Sequence, residues 1–366
     1  MFDLNRPLKL NPDCFTPLSR TPWAGRQIYR RYKKNLLEVA KELVIGESWE
    51  VSCDPDFPSR VPELAIDLAA LIQREADRLL SPSYVQRKGA NCEILIKLLN
   101  AASPLSVQVH PSDEDRHLKP HECGKPESWL ILDAEPGAGL YLGFSQAISR
   151  ETLRQLLQND ADLRPYLQFV PVQAGDYFEI QPGVPHAIGP GITLLEPQRV
   201  LLGRSGKTYR FWDWGRRYSR DGSLDPVHGQ ARELHIDEGL RLIDPERQVG
   251  EAFVSTLRRQ AETLALPGGG RWLRYPANPW YQVCHLSLKA QTRLAWSIRE
   301  GFATLVSLEG DTAWTSAAKR SVRFTKGEPG FLPYEAFPMT LEALTDSELA
   351  LIVPTGAILE GSALPA

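Results

Sequence analysis

The chain predicts a mainly β fold, and three observations carry that expectation. Helical periodicity is scarce along its 366 residues. Short β-prone runs fill most of the remainder, and 29 prolines and 27 glycines punctuate them. A hydrophobic content of 42% and a charged content of 24% suit a globular chain with a sizeable core, folded as one large domain or two to three smaller ones. The formal net charge of −3 gives no electrostatic reason to expect nucleic acid or an anionic membrane as a partner. No apolar run approaches the roughly 18 residues of a membrane span. The five cysteines (Cys14, Cys53, Cys92, Cys123 and Cys284) show no CxxC spacing and an odd total, the pattern of free thiols in a reducing compartment. The start, "MFDLNRPLKLNPDCF", lacks the charged head and apolar stretch of a leader, so a cytoplasmic location is expected.

Three helical segments interrupt the β pattern. In "VPELAIDLAALIQREADRLL" (61–80), Leu64, Leu68, Leu71 and Ile72 share one stripe. "SRETLRQLLQND" (149–160) reads as a helix with Ser149 as its N-cap. "ARELHIDEGLRLIDPE" (231–246) holds a third, over about 231–244 and ended before Pro245. "WLILDAEPGAGLYLGF" (129–144) carries the signal of a hairpin around a Pro-Gly turn. "LPGGGRWL" (266–273) reads as a loop or linker. A weak internal repeat relates "AGDYFEIQPGVPHAI" to "KGEPGFLPYEAFPMT". Four residues past the proline, the first copy has His186 and the second Phe337. Two related β-barrels, only the first with a polar ligand at that place, are expected.

Chemistry first shows in "SVQVHPSD" (106–113). On a strand Gln108 and His110 point to one face, Val107 and Val109 to the other, and Pro111 helps end the run. A half-exposed strand explains this, and so does half of a metal site. Downstream, "GKPESW" adds Lys125 and Glu127, again two apart, and "PGVPHAIGPG" places His186 just past a Pro-Gly turn. Gln108, His110, Glu127 and His186 offer two imidazoles, a carboxylate and an amide oxygen, a set suited to zinc, iron, manganese or cobalt. Lys97 sits in the apolar run "ILIKLLN", where a charge is costly unless it is paired or opens onto a cavity.

The motifs "GESWEVS", "PLSVQVHPSDE", "GKPESWLILDAEPGAGLYLGF", "GDYFEIQPGVPHAIGPGITLLEPQ" and "TYRFWDWGR" occur in the order of a known family. Over residues 7–216 the chain resembles the type I phosphomannose isomerases, in the shorter bacterial branch of that cupin family. The resemblance implies a cupin, a jelly-roll-like β-barrel with helical insertions, over residues 1–250, and a degenerate, metal-less cupin barrel over 251–366. It implies that Gln108, His110, Glu127 and His186 bind one Zn2+ per chain, other divalent metals being possible, and that Lys97, Ser106, Lys125, Glu196 and Arg210 line the pocket for a small sugar phosphate. The implied reaction interconverts mannose 6-phosphate and fructose 6-phosphate through an enediol-like intermediate, in a monomer or small homo-oligomer.

The residue types suit that chemistry. A cation beside the sugar oxygens stabilises the developing negative charge, and a base with a pKa near neutral moves the proton. Lys125 and Glu196 compete for that role; a neighbouring cation would lower the Lys125 pKa. Arg210 and Ser106 suit a phosphate or an enediolate. Two features depart from the family pattern. Segment 197–209, "PQRVLLGRSGKTY", is longer than in the short branch and carries Arg199, Arg204 and Lys207. Position 124 is glycine where the longer enterobacterial branch has histidine. A non-catalytic sugar-phosphate-binding cupin, and a metal-dependent cupin acting on another small molecule, are the competing readings. Trp23 and Trp49 are expected to pack, "HLKPHE" (117–122) to loop over the site, and His228, His235 and His285 to lie at the surface or in packing.

Overall fold

The strand Ile94–Ala101 is buried along its whole length, and its alternate residues face two different cores. Ile94, Ile96 and Leu98 join an apolar cluster that also holds Tyr281, Val283 and Ile352 from the far half of the chain. On the other face, Leu99 packs with Trp129, Ile131 and Leu194, while Leu95 and Lys97 line a cavity. A strand covered on both sides reads as a continuous apolar run. The run therefore shows no alternation, and its one charge opens onto a cavity.

The computed structural model describes residues 2–357 and 359–363. Ten strands form a first sandwich: β1 (Glu47–Val51), β2 (Ile94–Ala101), β3 (Val107–Val109), β4 (Glu127–Ala134), β5 (Gly139–Phe144), β6 (Leu167–Pro171), β7 (Tyr177–Ile180), β8 (His186–Ile188), β9 (Ile192–Arg199) and β10 (Tyr209–Trp212). One of its sheets runs β7-β4-β9-β2-β1 and the other β6-β5-β8-β3-β10. The second sandwich contains β11 (Glu262–Ala265), β12 (Arg271–Arg274), β13 (Tyr281–Leu288), β14 (Arg293–Ile298), β15 (Ala303–Glu309) and β16 (Asp311–Ser316). It continues with β17 (Ser321–Thr325), β18 (Pro329–Leu332), β19 (Met339–Ala343), β20 (Ser347–Pro354) and β21 (Leu359–Ala363). Its sheets run β18-β15-β20-β13-β12-β11, with Leu8–Lys9 added beside β18, and β17-β16-β19-β14-β21.

Adding eleven to each strand number of the first sandwich reproduces the order of the second. The fold is thus mainly β, built from two topologically equivalent jelly-roll-like sandwiches. The two copies of the sequence repeat fall on equivalent strands, β7 and β18, each just after a left-handed glycine, Gly175 at φ +92° and Gly327 at φ +87°. The interiors differ. In the second sandwich β14 contributes Leu294 and Trp296, β15 Ala303 and Leu305, and β20 Leu349, Leu351 and Val353 to a single apolar cluster. In the first, the equivalent strands carry the polar residues of the site.

The described residues hold five α-helices: α1 (Leu68–Leu80), α2 (Pro82–Lys88), α3 (Arg150–Gln158), α4 (Ile236–Leu242) and α5 (Gly250–Leu257). The Ser149 hydroxyl accepts from the Thr152 N–H at the start of α3. Three expectations need correction. The helix expected over 61–80 begins only at Leu68, because Arg60–Val61 pairs with Ile66–Asp67 around a 3-10 turn closed by Ala65 at φ 51°. The stretch 129–144 is not a hairpin: β4 pairs with β7 and β9, β5 with β6 and β8, so its turn carries the chain between sheets. "LPGGGRWL", expected as a loop or linker, is the loop that turns β11 into β12. Finally, α5 continues past residue 250, and its Val254 and Leu257 pack into the first sandwich.

Candidate active site

Strand register assembles the polar cluster. Gln108 on β3 lies opposite His186 on β8 and opposite Arg210 on β10. Residues directly opposite share a face, so the three side chains emerge in one row. His110 follows one residue past β3, on the same face. Glu127, the first residue of β4, belongs to the other sheet and lies opposite Gln198 on β9. His110 Nε2 stands 3.4 Å from Glu127 Oε2, and His186 Nε2 stands 3.4 Å from Glu127 Oε1. One ligand atom from each of His110, Glu127 and His186 lies within 4.8 Å of the others, and all three residues are buried.

Backbone carbonyls orient both imidazoles. His110 Nδ1 lies 3.1 Å from the Lys207 carbonyl, and His186 Nδ1 lies 2.8 Å from the Val184 carbonyl. With the proton on Nδ1, each Nε2 presents its lone pair to Glu127. Burial, then the neighbouring His110, drives the His186 pKa down to about 3. Burial and Lys125 lower His110 as well. Burial favours a neutral Glu127, but Lys125 and His110 outweigh it and hold the carboxyl well below its ordinary range. At neutral pH the group is therefore two neutral imidazoles and a carboxylate, the deprotonated form that metals require. Glu127 Oε1 and His186 Nε2 are buried without hydrogen-bond partners among the described residues. Donor types, lone-pair direction and these orphaned atoms all fit a divalent cation.

Beside this group lies a cavity of about 260 Å3, onto which Lys97, Ser106, Gln108, Lys125, Glu196 and Arg210 all face. Lys97 lies opposite Glu196 across β2 and β9. Its Nζ is 3.9 Å from Glu196 Oε2, 3.8 Å from Glu47 Oε2 and 4.1 Å from the centre of the Trp49 ring. The buried ammonium thus has two carboxylates and an aromatic face for company. Trp49 does more than pack, since its indole floors the cavity and donates to Thr16 Oγ1 at 2.8 Å. Arg210 Nε donates to Ser106 Oγ at 3.2 Å, and Arg210 Nη1 to the Glu233 carbonyl at 3.2 Å.

The two competing bases differ in surroundings. Burial, then the charge of Glu127, raises the Glu196 pKa to about 8. For Lys125, burial works downward, yet Glu127, Glu196 and Glu47 outweigh it and raise its pKa; its Nζ is 3.0 Å from Glu127 Oε2. The lowering expected for Lys125 therefore does not arise from the protein groups alone. In segment 197–209 two of the three basic residues are engaged elsewhere, and Arg204 is exposed. Arg199 pairs with Asp113 and Lys207 with Glu122, while Ser205, Gly206 and Thr208 face the cavity. Gly206 is tight against Lys125, whose Cγ would lie 3.0 Å from an added Cβ. Gly124 has a similar reason: an added Cβ would lie 2.7 Å from the Asp113 backbone nitrogen, so a histidine there would displace that loop.

Sequence reasoning missed Glu47, Trp129 and Gln198. A signal existed, since Glu47-x-Trp49 and Glu196-x-Gln198 show the same every-second-residue polarity as Gln108-x-His110.

The phosphomannose isomerase type I catalytic domain family matches residues 21–128. Mannose-6-phosphate isomerase ManA of Bacillus subtilis is 30% identical over 269 residues, 72% of this chain and 76% of that protein. The chain belongs to the type I phosphomannose isomerase family. The mannose-6-phosphate isomerase of Streptococcus mutans is 31% identical over 221 residues, 60% of this chain and 64% of that protein, so the alignment spans just under two thirds of that relative. The fold agrees along nearly the full length. A crystal structure of the mannose 6-phosphate isomerase from Bacillus subtilis superposes with a TM-score of 0.75 at 23% identity, covering 95% of this chain and 99% of that one. A mannose 6-phosphate isomerase crystallised with zinc and yttrium superposes at 0.68 and 16% identity, covering 95% and 99%.

Proposed function

We propose that this chain is a cytoplasmic, zinc-dependent aldose-ketose isomerase that interconverts mannose 6-phosphate and fructose 6-phosphate. The observation that carries this reading is one cavity lined by Lys97, Lys125, Glu196 and Arg210 and set beside the buried His110–Glu127–His186 group, which it meets through Lys125, 3.0 Å from Glu127. In this reading residues 1–250, with α5, form the catalytic domain, and the remainder is a second cupin-like domain that supports it.

Gln108, His110, Glu127 and His186 would hold the cation. When bound, a zinc ion would supply electrostatic stabilisation of the negative charge that develops on the sugar oxygens. The remaining work falls to side chains. One base removes the proton from C2 of the aldose and returns it to C1, while a second proton passes from the C2 hydroxyl to the C1 oxygen. Glu196 suits the carbon proton best, since burial raises its carboxyl to about 8 without metal and a bound cation would draw that value back toward neutrality. Lys125, held as an ammonium, suits hydrogen bonding to a sugar oxygen. Arg210 and Ser106, linked at 3.2 Å, present donors to the phosphate or the enediolate. Lys97 keeps Glu47 and Glu196 compensated and lends the cavity positive charge for an anionic substrate.

The test joins elemental analysis with a coupled assay on mannose 6-phosphate before and after chelation. About one zinc per chain and chelator-sensitive formation of fructose 6-phosphate support the reading; full activity without metal sinks it. Metal binding without turnover directs attention to Ser205, Gly206 and Thr208, and to a screen of other aldose phosphates.

A further inference from the structure

Glu127 and Trp129 of β4 lie beside Glu196 and Gln198 of β9 on one face of adjacent strands. The register pairs Gln198 with Glu127 and Leu195 with Leu130, which sets Glu196 opposite Trp129. All four are nearly fully buried, with exposures of 3% for Glu127, 0% for Trp129, 4% for Glu196 and 0% for Gln198. Two carboxylates this close in a dry place repel each other and need donors that fix their orientation. The Trp129 indole donates to Glu196 Oε1 at 3.1 Å. Gln198 Nε2 donates to Glu196 Oε2 at 2.5 Å and to Glu127 Oε2 at 2.9 Å.

We infer that Trp129 and Gln198 form a two-donor clamp that positions Glu196, and that Gln198 extends the clamp to the metal-ligand carboxylate of Glu127. The role assigned to Glu196 rests on the isomerase reading above; the geometry of the clamp does not. Each oxygen of Glu196 accepts from one neutral donor, so the carboxyl plane is fixed where Glu196 lines the cavity. The amide of Gln198 spends its donor nitrogen entirely on the two carboxylates. Its Oε1 is buried and has no partner among the described residues, so nothing on the oxygen side holds the amide in place. Such an arrangement makes sense if the donor side is what the site uses. Lysine at this position would neutralise the carboxylates, and an aliphatic side chain would leave Glu127 without a neutral donor and Glu196 with Trp129 alone. Trp129 touches the metal group differently, packing edge-on to the His186 ring at 5.4 Å and 77°. It makes no hydrogen bond to Glu127.

The clamp predicts two separable phenotypes. Gln198→Met keeps length and volume but removes the donor to both carboxylates. Its zinc affinity, read by competition with a chromophoric chelator in the absence of any sugar, should fall at least fivefold. Its kcat should fall at least tenfold with KM within threefold. Trp129→Phe keeps an aromatic edge against His186 and removes only the donor to Glu196. Its zinc affinity should stay within twofold of wild type while kcat falls at least fivefold. A folded Gln198→Met with zinc affinity and kcat both within twofold of wild type overturns the proposal, as does a Trp129→Phe that loses thermal stability alone. Should Gln198→Met not fold, Gln198→Asn, too short to reach both carboxylates, takes its place under the same criteria. Absence of turnover in the wild type would sink the isomerase reading, while the zinc affinities would still decide the arm of the clamp that reaches Glu127.

Discussion

His186 Nε2 and Glu127 Oε1 face each other at 3.4 Å, both buried and neither with a hydrogen-bond partner among the described residues. A buried polar atom left unpaired is destabilising by about 1–3 kcal/mol, and a shared cation removes that deficit for both. Removing metal with a chelator should lower the melting temperature, and zinc at 100-fold over its Kd should restore about 2.7 kcal/mol. His110→Ala, Glu127→Ala and His186→Ala should each lose bound zinc and more than about 100-fold in kcat, since charge stabilisation is worth several kcal/mol. Calorimetry with elemental analysis reads both effects. An alanine variant that keeps one zinc per chain and full turnover would contradict the ligand assignment.

Arg210 holds Ser106 through Nε and the Glu233 carbonyl through Nη1, so a planar fork is built into the cavity wall. Lysine keeps the charge but not the fork. Arg210→Lys should therefore lose at least about tenfold in kcat/KM, which corresponds to about 1.4 kcal/mol. Steady-state kinetics on the sugar phosphate decides it. A Lys variant equal to wild type would reduce Arg210 to a point charge.

Glu196 gives a pH prediction with a definite sign. Its folded pKa, about 8, lies above the ordinary 4.5. Between those values the folded state holds a proton that the unfolded state has released, so stability falls as pH rises. Its contribution is fully present below about pH 4.5 and is lost as pH climbs through about 8. Metal-free protein should melt at progressively lower temperature across that window, and Glu196→Gln should flatten the slope. Bound zinc, being positive, should shift the titration downward. A Glu196→Gln protein with an unchanged pH profile would refute this.

Lys33 and Glu50 form an ion pair at 2.7 Å with both side chains at 0% exposure, and Lys33 Nζ also donates to the Gly327 carbonyl at 2.7 Å. This joins β1, the edge strand that carries Glu47 and Trp49, to the second sandwich. Breaking a buried pair strands a charge, so Lys33→Met should lower stability by about 3–5 kcal/mol. The kcat of the folded protein should stay within about twofold, because neither residue faces the cavity. Lys33→Met with Glu50→Gln should recover part of the loss. Denaturant titration of the three proteins measures this, and a Lys33→Met change below about 1 kcal/mol would argue against it.

Much of the site was legible because strands translate sequence spacing into direction. Gln108-x-His110 and Lys125-x-Glu127 could be read as shared faces without knowing the partners of either strand. The hairpin expected over 129–144 failed for a related reason. Two apolar strands around a Pro-Gly turn look the same whether they pair with each other or with strands elsewhere, and only the pairings of β4 and β5 distinguish the two. The helix expected over 61–80 lost residues 61–67, about two turns, to a local competitor, the bridge between Arg60–Val61 and Ile66–Asp67. α5 escaped notice because eight residues give too little periodicity to read.

The sequence by itself determined the β class, the repeat and the ligand types, since each rests on local spacing and residue chemistry. It left Lys125 and Glu196 equivalent as bases, and it favoured packing over function for Trp49. The tertiary structure gives each of these its own surroundings. It stacks β2 between two cores so that Lys97 meets Glu196, Glu47 and Trp49, and it sets Gln198 between two carboxylates. A pKa and a buried hydrogen bond depend on which groups from distant segments share one low-dielectric space, and strand register across the two sheets decides that.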